Sequence, residues 1–212
     1  MQYKIHGTIT QTVDFLLSQG ETLFTESSGI AWMRGDVRVQ VAAKGSPPKG
    51  LAKKTSPETI TKVTYACYSP KCLMVFSPEL PGNTVDITLS DQQGLICQKT
   101  AFFCASGNME MVSFFQQKLS PAFGEGFILY QVFGPGTAFL QAHGEVREYE
   151  LRQGEVIRVD PGHVIGFEPT VNFGIIEEDL ILAVLSGPGR VWFQTISSPN
   201  FATSMARYKS AR

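Results

Sequence analysis

The sequence predicts an all-β fold in which three internal β-repeats take a pseudo-threefold arrangement, with very little helix. Three observations carry this. Short runs of apolar β-formers are bounded throughout by Gly, Pro, Asp and Asn, as strand-dominated chains require. One segment recurs three times. A hairpin-like half-unit also recurs three times.

The recurring segment begins at Gly20, Gly94 and Gly154. A short strand follows in each, around Leu23, Ile96 and Ile157. A polar turn comes next, at Glu26-Ser27-Ser28, Lys99-Thr100 or Asp160-Pro161-Gly162. A second strand spans 30–33, 102–105 and 164–167, and a third lies around 37–39, 109–111 and 171–173. The first and third copies align without gaps, while the second takes short deletions. The half-unit is centred on Ser69-Pro70-Lys71, Gly134-Pro135-Gly136 and Gly187-Pro188-Gly189, with apolar runs on both sides. That pattern reads as a hairpin.

One such unit has a hydrophobic face that it cannot cover alone. Three units cover one another and pair sheet edges that would otherwise aggregate. The expectation is a single domain, 1–212, of three repeats at about 13–81, 85–144 and 146–200. The connection inside the unit is long in the first copy and short in the third, which marks it as a surface loop. The run from Phe114 to Phe123 is expected to hold a short helix ended by Pro121, and no other helix of length is expected.

Composition narrows the function classes. The chain has 212 residues, 43% hydrophobic and 17% charged, with a formal net charge of −1. That balance supplies no global attraction to nucleic acid or an anionic membrane. The N-terminus lacks an apolar secretory core, and the most apolar run, Leu180 to Leu185, is too short to span a bilayer. A cytoplasmic location is the expectation. The cysteines fit it, since Cys67, Cys72, Cys97 and Cys104 each lie in an apolar strand-like run and read as small fillers. Their spacings lack the two-residue gap of zinc knuckles.

Motifs of catalysis are missing. No Gly-x-Ser-x-Gly elbow is present. No His-x-His pair suits a metal, and neither Gly-Pro-Gly turn precedes a helix as a phosphate loop would. The polar residues worth placing are His143, His163 and Asp160. Asp160-Pro161-Gly162 has turn chemistry, with Asp capping its own turn, Gly supplying positive φ and His163 hydrogen-bonding the turn. The first unit carries a basic, proline-rich loop with Lys44, Lys49, Lys53 and Lys54, a candidate surface for an anion or RNA. It lacks interleaved aromatics for base stacking. Trp32, Phe139 and Trp192 occupy strand positions, in the core or at an oligomer interface.

Three stretches carry a resemblance. Val159 to Val171 with Leu185 to Thr195, and Phe133 to Leu151, are similar to the mitochondrial-biogenesis "altered inheritance of mitochondria" family, from about Glu21 to Thr195. That resemblance implies a fold like the tryptophan RNA-binding attenuation protein and a link to mitochondrial membrane organisation. The family's glycine-rich insertion before the third hairpin is missing here. The combined expectation is a non-enzymatic scaffold or binding protein, without cofactor, that forms homo-oligomers through β surfaces or takes a protein partner. The alternative is an RNA- or anion-binding module using the basic loop.

Overall fold

The structure is a computed structural model and describes residues 1–26, 29–44, 60–119 and 126–209. Strands dominate it. After β1 (Gln2–His6) come three six-strand segments. The first holds β2 (Thr12–Ser18), β3 (Thr22–Thr25), β4 (Ile30–Arg34), β5 (Val37–Lys44), β6 (Ile60–Cys67) and β7 (Lys71–Phe76). The second holds β8 (Gly82–Leu89), β9 (Gly94–Gln98), β10 (Phe102–Ser106), β11 (Glu110–Gln117), β12 (Phe127–Phe133) and β13 (Gly136–His143). The third holds β14 (Val146–Leu151), β15 (Val156–Val159), β16 (Val164–Phe167), β17 (Asn172–Glu177), β18 (Ile181–Ser186) and β19 (Gly189–Gln194). A helix, α1 (Ser198–Lys209), follows.

The same pairing pattern recurs in each segment. The sixth strand pairs with the first and the third, and the fifth pairs with the second and the fourth. A bulge recurs at one position of the third strand, between Ile30 and Trp32, Phe102 and Cys104, and Val164 and Gly166. The turn between first and second strands also recurs. The backbone N–H groups of Ser18, Ser90 and Arg152 donate to the side chains of Glu21, Gln93 and Glu155, at 2.8, 3.0 and 2.7 Å. These matches place Gln92, not Gly94, opposite Gly20 and Gly154, so the second copy needs no deletion here. The expected short helix does not form over Phe114 to Gln117, and the part of that run from 120 to 123 lies outside the described residues. Phe114 to Gln117 belong to β11, whose aromatic Phe115 packs on Phe127 and Phe173.

Four sheets result, ordered β1-β2-β7-β4, β5-β6-β3-β10-β13-β8, β11-β12-β9-β16-β19-β14 and β15-β18-β17. The two six-stranded sheets form because segments join edge to edge. Phe24 of β3 lies opposite Ala105 of β10, and Ile96 of β9 lies opposite Phe167 of β16. Among the described residues no pairing joins the corresponding strands β15 and β4.

Three apolar cores sit between successive sheets. Phe15, Leu23, Phe76, Phe103 and Phe139 share one. Phe24, Phe102, Ala138, Tyr130 and Trp192 share the second, and Ile96, Phe127, Phe167, Leu185 and Val191 the third. Successive residues of a strand point to opposite faces. So Leu23 and Phe24 on β3, or Ala138 and Phe139 on β13, feed two different cores. The central strands of the inner sheets are therefore apolar on both faces, and β3, β9, β10 and β16 read as continuous apolar runs rather than alternating ones.

The first hairpin differs from the other two. Cys67 and Cys72 are joined by a disulfide across the β6–β7 connection, where the other hairpins use Gly-Pro-Gly. They are not the simple fillers that their apolar context suggested. Cys97 and Cys104 are fillers, buried and free, and burial pushes both thiols up. The disulfide removes one ground for a cytoplasmic expectation, because such bonds persist in oxidising surroundings. Among the described residues, no helix is long and apolar enough to cross a membrane.

Candidate functional site

His143, His163 and Asp160 come together at one end of the second and third segments. His143 closes β13, and Asp160 to His163 form the turn between β15 and β16. Gln194, at the end of β19, ties them. Its side-chain oxygen accepts from the His143 N–H at 2.9 Å, and its amide donates to the Gly162 carbonyl at 2.8 Å. The Gln194 carbonyl lies 2.8 Å from His163 Nδ1. Asp160 Oδ1 accepts from the Gly162 N–H at 2.7 Å, and Oδ2 accepts from Asn200 at 3.0 Å. His143 Nδ1 meets the Ser198 hydroxyl.

This arrangement docks α1. Ser197, Ser198 and Asn200 lie at the start of the helix, and the Phe201 N–H donates to the Ser197 carbonyl at 2.9 Å. Gly162 is required for close approach, since an added Cβ would collide with Ser197 Oγ. It does not take positive φ, so the expected reason for that glycine is replaced by a packing reason. Burial lowers the His143 pKa, and the Glu79 charge opposes that effect.

Chemically the cluster is mostly a set of satisfied hydrogen bonds, with the buried Ser197 hydroxyl left without a partner among the described residues. A serine–histidine contact exists, but both oxygens of Asp160 are occupied by Gly162 and Asn200. The carboxylate therefore orients neither imidazole as a triad would require. Among the described residues, no group of three or more His, Cys, Asp or Glu is placed to hold a metal. Gln194, Ser198 and Asn200 escaped sequence reasoning. Only the proximity of Ser-Pro-Asn to the end of the last strand signalled a capped helix start.

The basic candidates are not brought together in the described residues. Lys44 ends β5, while Lys49, Lys53 and Lys54 lie outside the described residues. Lys62, the next basic residue, turns inward. Its ammonium sits 3.3 Å from the Met109 carbonyl and 3.8 Å above the Phe24 ring.

A cleft of about 320 Å³ opens where the turns after β8 and β16 meet, lined by Ile87, Gln92, Glu168, Thr170, Arg190 and Trp192. Its charges are matched internally. Arg190 Nε and Nη2 each lie 2.8 Å from Glu168 Oε1, and the Trp192 indole N–H donates to Glu148 at 2.7 Å. Apart from that ion pair and the indole, its polar lining consists of Thr and Gln side chains.

The largest departure from internal pairing is at the outer edges. β10 and β16 are buried almost throughout, whereas the corresponding β4 exposes Ala31 to Arg34. β3 and β9 are likewise buried, whereas β15 is exposed or half-exposed at each residue. Trp32 is 56% exposed, Met33 48% and Val156 45%. In the turn between β17 and β18, Leu180 is 68% exposed.

Comparison with protein families matches residues 3–196 to the family described as mitochondrial biogenesis AIM24. Among solved structures the chain is similar to protein SPYM3_0169 from Streptococcus pyogenes. The two are 17% identical, with a TM-score of 0.79 over 98% of this chain and 99% of that chain. At that identity the likeness is one of fold. Comparison with curated proteins finds no match.

Proposed function

The chain belongs to the mitochondrial biogenesis AIM24 family, and from that premise we propose that it is a non-enzymatic scaffold or binding protein that self-assembles through its β surfaces. The family's name connects it with mitochondrial biogenesis, and an organising role rather than a chemical one fits the residues described above. A single observation supports the reading best. Trp32 and Met33 on β4 and Val156 on β15 are exposed, while the corresponding strands β10, β16, β3 and β9 are buried almost throughout. Exposed apolar residues along unpaired strands favour association. The attenuation-protein-like layout that the sequence resembles belongs to this proposal, as units that add edge to edge.

Light scattering across a concentration series tests it. The expected outcome is a mass that rises with concentration. A constant monomer mass overturns the reading. The RNA- or anion-binding alternative rests on Lys49, Lys53 and Lys54, which lie outside the described residues, and no structural observation favours it over self-assembly.

A further inference from the structure

We propose that β15 of one chain pairs antiparallel with β4 of a second copy, so that chains join head to tail through a third version of the joins already made inside each chain. This deepens the self-assembly reading and rests on it.

The inference starts from the two internal joins. In each, the second strand of one segment meets the third strand of the next, in the same register. Phe24 faces Ala105, and Ile96 faces Phe167. In the recurring pairing pattern Phe24, Ile96 and Arg158 occupy one position, and Met33, Ala105 and Phe167 another. The first set lies opposite Thr64, Gln131 and Val184 of the neighbouring fifth strand. The second lies opposite Met74, Ala138 and Val191 of the sixth. A third join in the same register sets Arg158 opposite Met33.

Other edges of the sheets do not qualify. β5, β11 and β17 are edges in all three segments, and β8 and β14 differ from their counterpart β2 only in lacking β1, a strand outside the repeated segments. β4 and β15 differ, because their counterparts are paired and buried. They also form a complementary pair, one the third strand of the first segment and the other the second strand of the last. Such an interface is heterologous, so it closes into a ring or extends as a fibre according to the rotation per chain. Main-chain hydrogen bonds supply the attraction and the flanking side chains supply the register.

Arg158 tunes this join. Where the internal joins carry Phe24 and Ile96, the open one carries a cation. It is thereby weaker and more sensitive to salt than the internal joins, as a contact between separate chains that must stay reversible.

Cross-linking tests the register. A chain with both Met33→Cys and Arg158→Cys is oxidised and run on a denaturing gel beside the wild-type chain. Directly opposed residues in an antiparallel pair are close enough for a disulfide. A ladder of covalent dimers and higher species that needs both substitutions is the expected result. A product that migrates as a cross-linked monomer overturns the proposal, because the edges then close within one chain. A wild-type chain that assembles in light scattering while the double variant gives no ladder also overturns it, and leaves the broader reading standing. A wild-type chain that stays monomeric removes the broader reading, and this one with it.

Charge substitution supplies an independent measurement if the cysteine variant folds poorly. Met33→Arg sets like charges opposite and weakens association roughly 1.5- to 5-fold. Met33→Glu strengthens it by a similar factor, and Met33→Arg combined with Arg158→Glu restores it. Equal association of all three variants overturns the register.

Discussion

The joined strands and the open strands of this chain have the same local design and opposite environments. β10 and β16 make a bulged third strand that pairs on both sides, and both are buried. β4 makes the same bulge and, among the described residues, pairs on one side only, and its residues from Ala31 onward face solvent. The strand geometry is therefore set inside each segment, by its hairpin and turn. Burial is set by whether a neighbouring segment arrives. Trp32 on β4 is 56% exposed, whereas Cys104 at the same position of β10 is fully buried, as is the other tryptophan, Trp192 of β19, at 1%.

Substituting each tryptophan breaks the comparison most sharply. Trp192 fills the core between the inner sheets and donates its indole N–H to Glu148. Trp192→Ala is expected to lower stability by about 3–5 kcal/mol, through lost burial and a residual cavity. Trp32→Ala removes a side chain with little to lose in the single chain, and is expected to change stability by no more than about 0.5 kcal/mol. Urea unfolding midpoints at low protein concentration give both values. Similar losses for the two would mean that Trp32 is buried in solution even in the monomer.

The disulfide sharpens the contrast one level down. It braces the β6–β7 connection, and β7 is the strand on which β4 depends. Closing so short a loop restrains the unfolded chain by about 2 kcal/mol in the loop-entropy account. Replacing both Cys67 and Cys72 with Ala is expected to lower stability by about that amount. Replacing Cys97 by Ala instead tests a buried filler with a thiol pushed up by burial, and added reductant should leave that variant's loss unchanged. Denaturant unfolding with and without reductant checks both.

At the open edge itself, Arg158→Ile installs the residue type found at the joined positions. Burial of an isoleucine is worth at least about 1.5 kcal/mol, so association is expected to tighten by about tenfold. The salt dependence of association should fall at the same time. Sedimentation in low and high salt measures the two changes together. Weaker association in this variant would mean that Arg158 contributes an attractive contact rather than a restraint.

Much of the fold was legible because turns are local. Gly20, Gly154, Pro135 and Pro188 mark connections whose chemistry needs no distant partner. The predominance of strands and the hairpin turns followed from them. What escaped depends on tertiary placement. Phe102, Phe103, Cys104 and Ala105 form a continuous apolar run, and only stacked sheets make one strand feed two cores. The same run gives no hint that Phe24 will lie opposite Ala105. Nor does the sequence separate Trp32 from Trp192, since both stand in strand-like runs and differ only in whether a neighbour covers them. Helix α1 was missed because SPNFATSMARYK has a polar, weakly patterned surface, and its anchor is the distant pair His143 and Gln194. His143, His163 and Asp160 stand out in the sequence as polar residues of interest, and the structure brings them together. Their role in seating that helix was not visible without Gln194.

The smallest expected effect concerns that seat, on the joined side of the molecule. Burial lowers the pKa of His143, so the folded state binds its proton less readily than the unfolded chain does. The unfolded state then holds more protons as pH falls, and stability falls with it. The contribution of His143 is fully present above the ordinary histidine pKa, about 6.5. It is lost as pH drops from there through the lowered folded value. Glu79 opposes the shift, so the slope is shallow. His143→Gln keeps a polar group toward Ser198 but does not titrate. Its thermal midpoint is expected to vary less with pH than the wild-type midpoint between about pH 5 and 7. The same substitution should loosen α1 without affecting β4 and β15, so amide exchange is expected to rise near Ser198 and stay unchanged at Trp32. Faster exchange at both ends would mean that helix docking and the open edge are coupled, and the contrast between the two regions would then be one of degree.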